Sequence, residues 1–229
     1  MNQLVRPPRL APGARVAVVA PSGPVPEERL QAGLDILRGW DLDPVVTPHV
    51  LGRHRELDYL AGTDEQRAAD LHNAWCDPSV AAVLCARGGY GAQRMVDLLD
   101  WAAMRAAGPK VFAGFSDVTV LHQAFATRLG LVQDGDGESP YRVDRYLTQL
   151  LRTGWLDGVA GIVLGSWAGC GPYEEVRTVL ADRLGGLGVP VVEEFGFGHG
   201  EGALTMPLGV AAELDAETGT LTLDEPALS

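Results

Sequence analysis

The sequence predicts an α/β fold, with a parallel-sheet N-terminal domain and a smaller α/β C-terminal domain that ends in antiparallel β structure. Short apolar runs of β-forming residues alternate with amphipathic helical segments through the first half of the chain, which is the pattern of βαβ units. The alternation resumes after a polar glycine-rich stretch, and near the C-terminus apolar and polar residues alternate at the period of a strand. With 229 residues, of which 46% are hydrophobic and 21% charged, the chain is long enough to bury a core.

The N-terminal domain, residues 1–131, begins with a strand over 15–20 that ends at Pro21-Ser-Gly-Pro24. The next segment places Leu30, Leu34 and Leu37 on one face of a helix. The further predicted elements are strand 44–47, helix 64–76, strand 80–86, helix 92–99, strand 110–115 and helix 117–129. The parallel strands of such a domain end at one edge of the sheet, where ligands of α/β proteins gather. The loops at that edge are Pro21-Ser-Gly23, Arg87-Gly-Gly-Tyr-Gly91 and Phe115-Ser-Asp117.

Residues 132–137 form a polar, glycine-rich stretch that predicts a linker or a splice between the domains. The C-terminal domain, residues 138–229, starts with a strongly amphipathic helix over 142–152. Its further predicted elements are strand 159–164, helix 173–184, strand 189–193, and antiparallel β structure at 204–208 and 220–223 with turn residues at 215–219.

Charge, cysteine content and hydrophobicity exclude several classes of function. A formal charge of -12, with no basic stripe, disfavours a nucleic-acid partner. The three cysteines are widely spaced and support neither a disulfide framework nor a zinc site. No apolar run approaches the ~18 residues that a membrane span needs, and the N-terminus does not resemble a signal peptide. We therefore expect a cytoplasmic protein without membrane association, metal or other cofactor.

Ser116 lies where an apolar strand meets a helix. A side chain at such a junction is expected at the sheet edge, beside backbone N–H groups that stabilise an anion, which suits a nucleophile. The surrounding Gly114-Phe-Ser-Asp-Val118 lacks the second glycine of the G-x-S-x-G elbow, which disfavours an ordinary α/β-hydrolase. Position alone leaves open that Ser116 only caps the following helix.

The glycines of the 87–91 loop let a ligand approach the backbone closely. Such a loop serves as a set of oxyanion-hole donors or as a phosphate cradle, but glycines also simply form turns.

Among five histidines, His199 stands apart because it lies in Phe195-Gly-Phe-Gly-His-Gly200. This loop looks mobile and suited to bringing a base to a distant serine. The other four are less promising, because the sequence arranges no acid around three of them and the fourth lies in the predicted helix after Ser116; they are His49, His54, His72 and His122.

Six ordered blocks resemble the LD-carboxypeptidase family, which includes muropeptide LD-carboxypeptidases and microcin C immunity peptidases. Each block alone is unspecific, but together they span both halves of the chain, which argues against chance similarity. The blocks are Ala20-Pro-Ser-Gly23, Tyr59-Leu-Ala-Gly-Thr-Asp64, Ala86-Arg-Gly-Gly-Tyr-Gly91, Gly114-Phe-Ser-Asp117, Pro140-Tyr-Arg-Val-Asp-Arg145 and Gly196-Phe-Gly-His199.

The resemblance implies a Ser-Glu-His triad in which Ser116 is the nucleophile and His199 the base. It places the backbone N–H groups of the oxyanion hole at Gly89 and Asp117, and it implies that no metal is required. In the glycine loop, Arg87 and Tyr90 are candidate substrate-binding residues. The guanidinium groups of Arg87 and Arg145 could each bind a substrate carboxylate, but a structural ion pair suits them equally.

The resemblance breaks between Val132 and Glu138. Members of the family continue into a His-Gly-Pro segment and a sizeable further stretch, and their triad glutamate lies just before the Pro-Tyr-Arg block. Counting back from Pro140 puts Asp134 at that position, whereas Glu138 matches a neighbour of the triad acid. Three alternatives stay open: Asp134 replaces the glutamate, Glu138 is recruited, or the acid is missing through a natural, engineered or recorded deletion.

The leading hypothesis is therefore a serine peptidase that hydrolyses an L,D peptide bond and releases a C-terminal D-amino acid from murein-derived peptides. The alternative is a catalytically weak or silent homologue that binds a peptide or a partner. Phosphate or nucleotide binding by the Gly88–Gly91 loop is disfavoured, because a P-loop lysine and a G-x-G-x-x-G pattern are absent. The expected partners are a small muropeptide-like substrate and a second copy of the chain in a homodimer.

Overall fold

The computed structural model describes residues 6–126, 139–199 and 202–228. These residues fall in two units, one formed by 6–126 with 227–228 and the other by 139–199 with 202–226. Each unit has strands and helices of its own, and the α/β class predicted from the sequence is confirmed. The linker predicted at 132–137 lies outside the described residues.

Strands and helices alternate along the first unit. In chain order they are β1 (Arg15–Val19), α1 (Glu27–Gly39), β2 (Asp43–Val46), α2 (Asp64–Cys76), β3 (Val80–Cys85), α3 (Ala92–Met95), α4 (Trp101–Ala106), β4 (Val111–Ala113) and α5 (Thr119–Ala126). The four strands pair in parallel in the order β2-β1-β3-β4. The chain moves outward from β1 in one direction and from β3 in the other, so the topological switch point lies between these two strands.

The central strand β1 is buried on both faces, as a parallel strand covered by helices must be. Val16 and Val18 pack in the apolar cluster that contains the leucines of α1. Ala17 and Val19 point to the opposite cluster, which is built largely from α2, α3 and α5. Helix α2 begins and ends where the sequence predicts. Its start is fixed by the side chains of Thr63 and Gln66, which form a reciprocal capping box at the N-terminus.

The second unit contains, in chain order, α6 (Pro140–Arg152), β5 (Ile162–Val163), α7 (Tyr173–Leu184), β6 (Val191–Val192), β7 (Ala212–Asp215) and β8 (Thr220–Leu223). Strands β5 and β6 pair in parallel, and α7 is the crossover between them. Residues of α6 and α7 supply most of the core of this unit. Strands β7 and β8 form an antiparallel hairpin whose turn is closed by backbone N–H groups donating to the Asp215 carboxylate.

The prediction of an antiparallel strand at 204–208 is wrong, because residues 203–207 are irregular and β8 pairs with β7 instead. Pro207 lacks an N–H group, and among backbone hydrogen bonds to described residues, this stretch donates one, from Leu204 to the carbonyl of Gly196 (2.8 Å).

Three further points concern the predicted elements: one helix was missed, one prediction needs correction, and part of a third stays a prediction. Helix α4 was missed, and the side chain of Asp100 caps it by accepting from the N–H groups of Ala102 and Ala103. The helix predicted over 92–99 is α3 followed by a 3-10 turn. Residues 127–129 of the helix predicted after Ser116 lie outside the described residues.

No helix within the described parts of the chain has both the length and the apolar character that crossing a membrane requires.

Candidate active site

Three loops meet at the carboxyl edge of the four-stranded sheet, next to the switch point. They follow β1, β3 and β4, which are the strands that the sequence analysis singled out. The N–H group of Gly23 donates to the carbonyl of Gly88 (3.1 Å), which joins the first loop to the second. A Cβ atom placed on Gly88 would lie 2.8 Å from Cβ of Ser116, so the second loop touches the third with no room for a side chain.

Ser116 begins the 3-10 turn that follows β4, and it has a φ of +59°. Such a left-handed conformation is uncommon for a residue other than glycine and is concentrated at functional sites. The side chain is half-buried, and its Oγ forms no hydrogen bond with any residue that the structure describes. The geometry therefore provides no capping bond for the helix-cap interpretation.

Asp117 connects the serine turn to the glycine loop. Its Oδ2 accepts a hydrogen bond from the N–H of Ala92, the first residue of α3, at 2.8 Å. This contact draws the loops after β3 and β4 together through a charged acceptor, which makes a stronger bond than a neutral one.

His122 lies on α5, two turns after the serine. Its Nε2–H donates to the carbonyl of Gly114 (3.0 Å), and its ring packs on Phe112 with centroids 4.9 Å apart. Burial lowers the pKa of His122, which favours the neutral ring. Because Nε2 is used in this hydrogen bond, His122 has the features of a structural histidine.

The 87–91 loop has the backbone that its glycines predict. Gly89 and Gly91 have φ values of +114° and +132°, which side chains rarely allow. The guanidinium of Arg87 donates to the carbonyl of Pro24 (2.8 Å), so at least one of its donors serves the loop after β1. Tyr90 is half-exposed, and its ring lies 6.1 Å from that of Tyr59, where both rings present apolar surface to the solvent.

His199 belongs to the second unit, in the loop after β6. That loop is anchored by three backbone hydrogen bonds: Phe195 donates to Leu164 (3.0 Å), Ser166 donates to Phe197 (2.8 Å), and Leu204 donates to Gly196 (2.8 Å). These bonds hold the backbone of the loop against residues 164–166 and Leu204. The mobility predicted from the sequence stays a prediction. The His199 ring itself is half-buried.

The five N-terminal candidates Ser116, Gly89, Asp117, Arg87 and Tyr90 thus belong to one set of adjoining loops in the first unit. Both candidate acids, Asp134 and Glu138, lie outside the described residues. In the described ranges no group of three or more His, Cys, Asp or Glu side chains is arranged to hold a metal ion.

Sequence reasoning missed two side-chain contacts in this unit. His49 was expected to have no acid near it, but Asp70 is nearly buried and accepts from both the N–H and Nδ1 of His49, each at 2.8 Å. Arg67 was not singled out, although its buried guanidinium donates to the carbonyls of Pro21 and Gly91. In both cases the partners are distant in the sequence, and the capping box at the start of α2 was the only local signal nearby.

The chain matches two family models. Residues 16–133 match the LD-carboxypeptidase N-terminal domain, and residues 118–214 match the LD-carboxypeptidase C-terminal domain. A protein of Streptomyces coelicolor with a provisional carboxypeptidase name is 60% identical over 306 residues, covering 100% of this chain and 99% of the relative. The murein tetrapeptide carboxypeptidase of Pseudomonas aeruginosa is 43% identical in an alignment of 137 residues that covers 57% of this chain and 43% of the relative.

Solved structures share the fold at lower identity. A microcin C7 self immunity protein in complex with aspartyl sulfamoyl adenosine has a TM-score of 0.77 at 18% identity, covering 99% of this chain and 100% of that chain. The muramoyltetrapeptide carboxypeptidase of Oxalobacter formigenes has a TM-score of 0.71 at 23% identity, covering 91% and 97%. At these identities the likeness concerns the fold alone. The family models and the Streptomyces relative carry the further conclusion: this chain belongs to the LD-carboxypeptidase family.

Proposed function

We propose that this protein is a serine peptidase that hydrolyses an L,D peptide bond and releases a C-terminal D-amino acid, such as D-alanine, from murein-derived peptides. The observation that carries the proposal is the serine turn: Ser116 has a left-handed backbone at the carboxyl end of β4, and Gly88 lies directly against it. A nucleophile held beside a glycine loop is the arrangement that acyl transfer needs. The murein tetrapeptide carboxypeptidase of Pseudomonas aeruginosa, which this chain resembles, supports the choice of substrate.

In this mechanism Ser116 Oγ attacks the scissile carbonyl while His199 takes its proton as the general base. The N–H groups of Gly89 and Asp117 would stabilise the tetrahedral oxyanion, and His199 would then protonate the leaving amine, so that the D-amino acid departs and the shortened peptide stays bonded to Oγ as an ester. A water molecule, deprotonated by His199, would then attack this ester, and the peptide would leave as a carboxylate while Ser116 regains its proton. Tyr90 would contact the substrate from the exposed side of the loop. Arg87 has a donor committed to Pro24, so any binding of a substrate carboxylate would use the rest of its guanidinium.

The third member of the proposed triad is an acid. The Streptomyces relative aligns over 306 residues whereas this chain has 229, and the two family matches overlap at 118–133. Both observations support a deletion near 132–138, where the family's triad glutamate would lie. We infer that Asp134 takes the place of that glutamate with a side chain one methylene shorter, so turnover is expected to be weak.

A catalytically silent homologue that binds peptide is the second candidate, and the same shortened segment favours it. Incubation with L-Ala-D-Glu-meso-diaminopimelate-D-Ala, followed by measurement of free D-alanine, tests turnover. Calorimetric titration of the same peptide tests binding. Release of D-alanine by the wild-type chain but not by Ser116→Ala would support the peptidase, whereas binding without release would support the silent homologue.

The proposal also includes a cytoplasmic location and a homodimer. The three cysteines are free thiols in the structure, which suits a reducing compartment. Sedimentation of the purified chain over a range of concentrations tests the dimer.

A further inference from the structure

A buried arginine lies behind the glycine loop, in the second turn of α2. The side chain of Arg67 has no exposed surface, although a guanidinium is costly to bury without partners. Its charge is compensated by the Asp64 carboxylate, to which Nη2 donates, and Asp64 in turn pairs with Arg94 at 3.0 Å. Burial lowers the pKa of Arg67, and Asp64 opposes that shift, so the guanidinium remains a cation.

The Nη1 donors of this guanidinium connect two loops of the site, whereas its buried Nε–H forms no hydrogen bond with the residues that the structure describes. Nη1 donates to the carbonyl of Pro21, after β1, and to the carbonyl of Gly91 (2.8 Å), after β3. Gly91 gives the guanidinium room, because a Cβ atom there would lie 2.8 Å from Nη1 of Arg67 and 2.7 Å from Cδ2 of Leu60. The planar group, with several donors in fixed directions, suits two carbonyls and a carboxylate at once.

Of the two loops that Arg67 connects, the glycine loop contacts the turn that carries Ser116, and the loop after β1 contacts the glycine loop. The residue after Gly91, Ala92, donates to Asp117, which is next to Ser116. The residues after Pro21 meet the glycine loop through the hydrogen bond from Gly23 to Gly88. A displacement of Pro21 or Gly91 would therefore reach the backbone that lies against Ser116.

We propose that Arg67 is a positioning residue of the site, which holds the 21–23 and 87–91 loops in register so that the glycine loop stays against Ser116. The expected effect of Arg67 on catalysis rests on the proposed function. The expected effect on the positions of the two loops does not, because amide exchange measures it without turnover.

Three variants separate this role from a contribution to folding alone. Arg67→Met keeps most of the volume and removes every donor, whereas Arg67→Lys keeps the charge but has no planar fork to reach three acceptors. Arg94→Met is the matched control, because the Arg94 guanidinium pairs with the same Asp64 carboxylate, and its side-chain hydrogen bonds to the residues that the structure describes all go to that carboxylate.

NMR-detected amide exchange at Gly23 and Ala92 is the first measurement. In Arg67→Met we expect both amides to exchange at least about tenfold faster, while the amides of β1 keep their protection, since local opening precedes global unfolding. Arg67→Lys should fall between this variant and the wild type, and Arg94→Met should match the wild type. Unchanged exchange at both amides in Arg67→Lys and Arg67→Met would overturn the inference, whether or not the chain has turnover.

Steady-state kinetics with the tetrapeptide is the second measurement. Displaced oxyanion donors act in the transition state, so kcat should fall about a hundredfold in Arg67→Met while KM changes by less than about threefold. A rise of KM with kcat unchanged would show that Arg67 serves substrate binding and would overturn the positioning role. Absence of turnover in the wild type would contradict the proposed function and leave the exchange result to decide on Arg67.

Discussion

The turn that carries Ser116 and the loop that carries His199 are supported in different ways. The serine turn follows a strand of a four-stranded sheet, and its surroundings are joined by side-chain bonds and by close packing of Gly88. The histidine loop follows the two-residue strand β6 and is fastened by backbone bonds to Leu164, Ser166 and Leu204. Backbone bonds fix the path of a loop, whereas the tautomer of a histidine is set by the partner of its ring. In the proposed mechanism, the contacts around the nucleophile Ser116 lie within its own unit, whereas His199 would depend on an acid to set its tautomer.

The largest effect on kcat should come from removing the side chain of either Ser116 or His199. Ser116→Ala and His199→Ala should each lower kcat by at least about ten-thousandfold with little change in Tm, because both act in the chemical step. The double variant should be scarcely worse than either single one, since members of one catalytic unit are not additive. Release of D-alanine by all four proteins provides the measurement.

Independent, multiplying losses would show that His199 does not act through Ser116. A drop of about 1 kcal/mol in stability of Ser116→Ala with activity retained would restore the helix-cap interpretation.

The next largest effect on kcat concerns the acid that is proposed to set the tautomer of His199. Asp134→Asn should lower kcat by between about a hundredfold and ten-thousandfold, because a histidine without its acid loses the correct tautomer. Glu138→Gln should leave kcat largely intact and serves as the matched control. The reverse pattern would identify Glu138 as the acid, and robust turnover in both carboxamide variants would require an acid elsewhere.

A smaller effect on kcat tests the close packing of Gly88 against the turn that carries Ser116. In Gly88→Ala the new Cβ would lie 2.8 Å from Ser116 Cβ and 3.0 Å from the carbonyl oxygen of Phe115, so the turn must shift. We expect kcat to fall about tenfold to a hundredfold and stability to fall by about 1–3 kcal/mol. Gly33→Ala in α1 is the control, because nothing lies within 4 Å of its Cβ position and the change should stabilise the helix by about 0.5–1 kcal/mol. Equal kinetics for both variants would contradict the packing argument.

The smallest effect concerns acid stability of the first unit. Hydrogen bonding from Arg94, together with the charges of Arg67 and Arg94, lowers the pKa of Asp64. A carboxyl with a lowered folded-state pKa stabilises the fold above its unfolded pKa of about 4, and this contribution is lost as the pH falls through the folded value. Arg94→Met should therefore reduce the fall in urea midpoint between about pH 6 and about pH 3. Arg38→Met, which removes an exposed ion pair with Asp35, should leave that pH dependence unchanged.

Prediction from the sequence succeeded where the signals are local. Helices α2 and α7 begin and end at the predicted residues, since a capping box marks the start of α2 and periodic leucines and valines mark the buried face of α7. The alternation of strands and helices was enough to predict that the loops after β1, β3 and β4 share one edge. The prediction of a strand at 204–208 failed because a strand needs a partner strand to pair with. The apolar residues there gave no information about which segment would be that partner, and β8 pairs with β7 instead.

By itself, the sequence determined the α/β class, the edge of the sheet that bears Ser116, and a family resemblance that the comparisons confirmed. Only the tertiary structure decided which side chains meet across that edge. The contact of Asp70 with His49 and the burial of Arg67 between Pro21 and Gly91 both join residues from separate loops and helices. Such contacts leave no periodic signal in the chain, because hydrogen bonding and burial depend on distance in space, whereas helix and strand patterns depend on distance along the sequence.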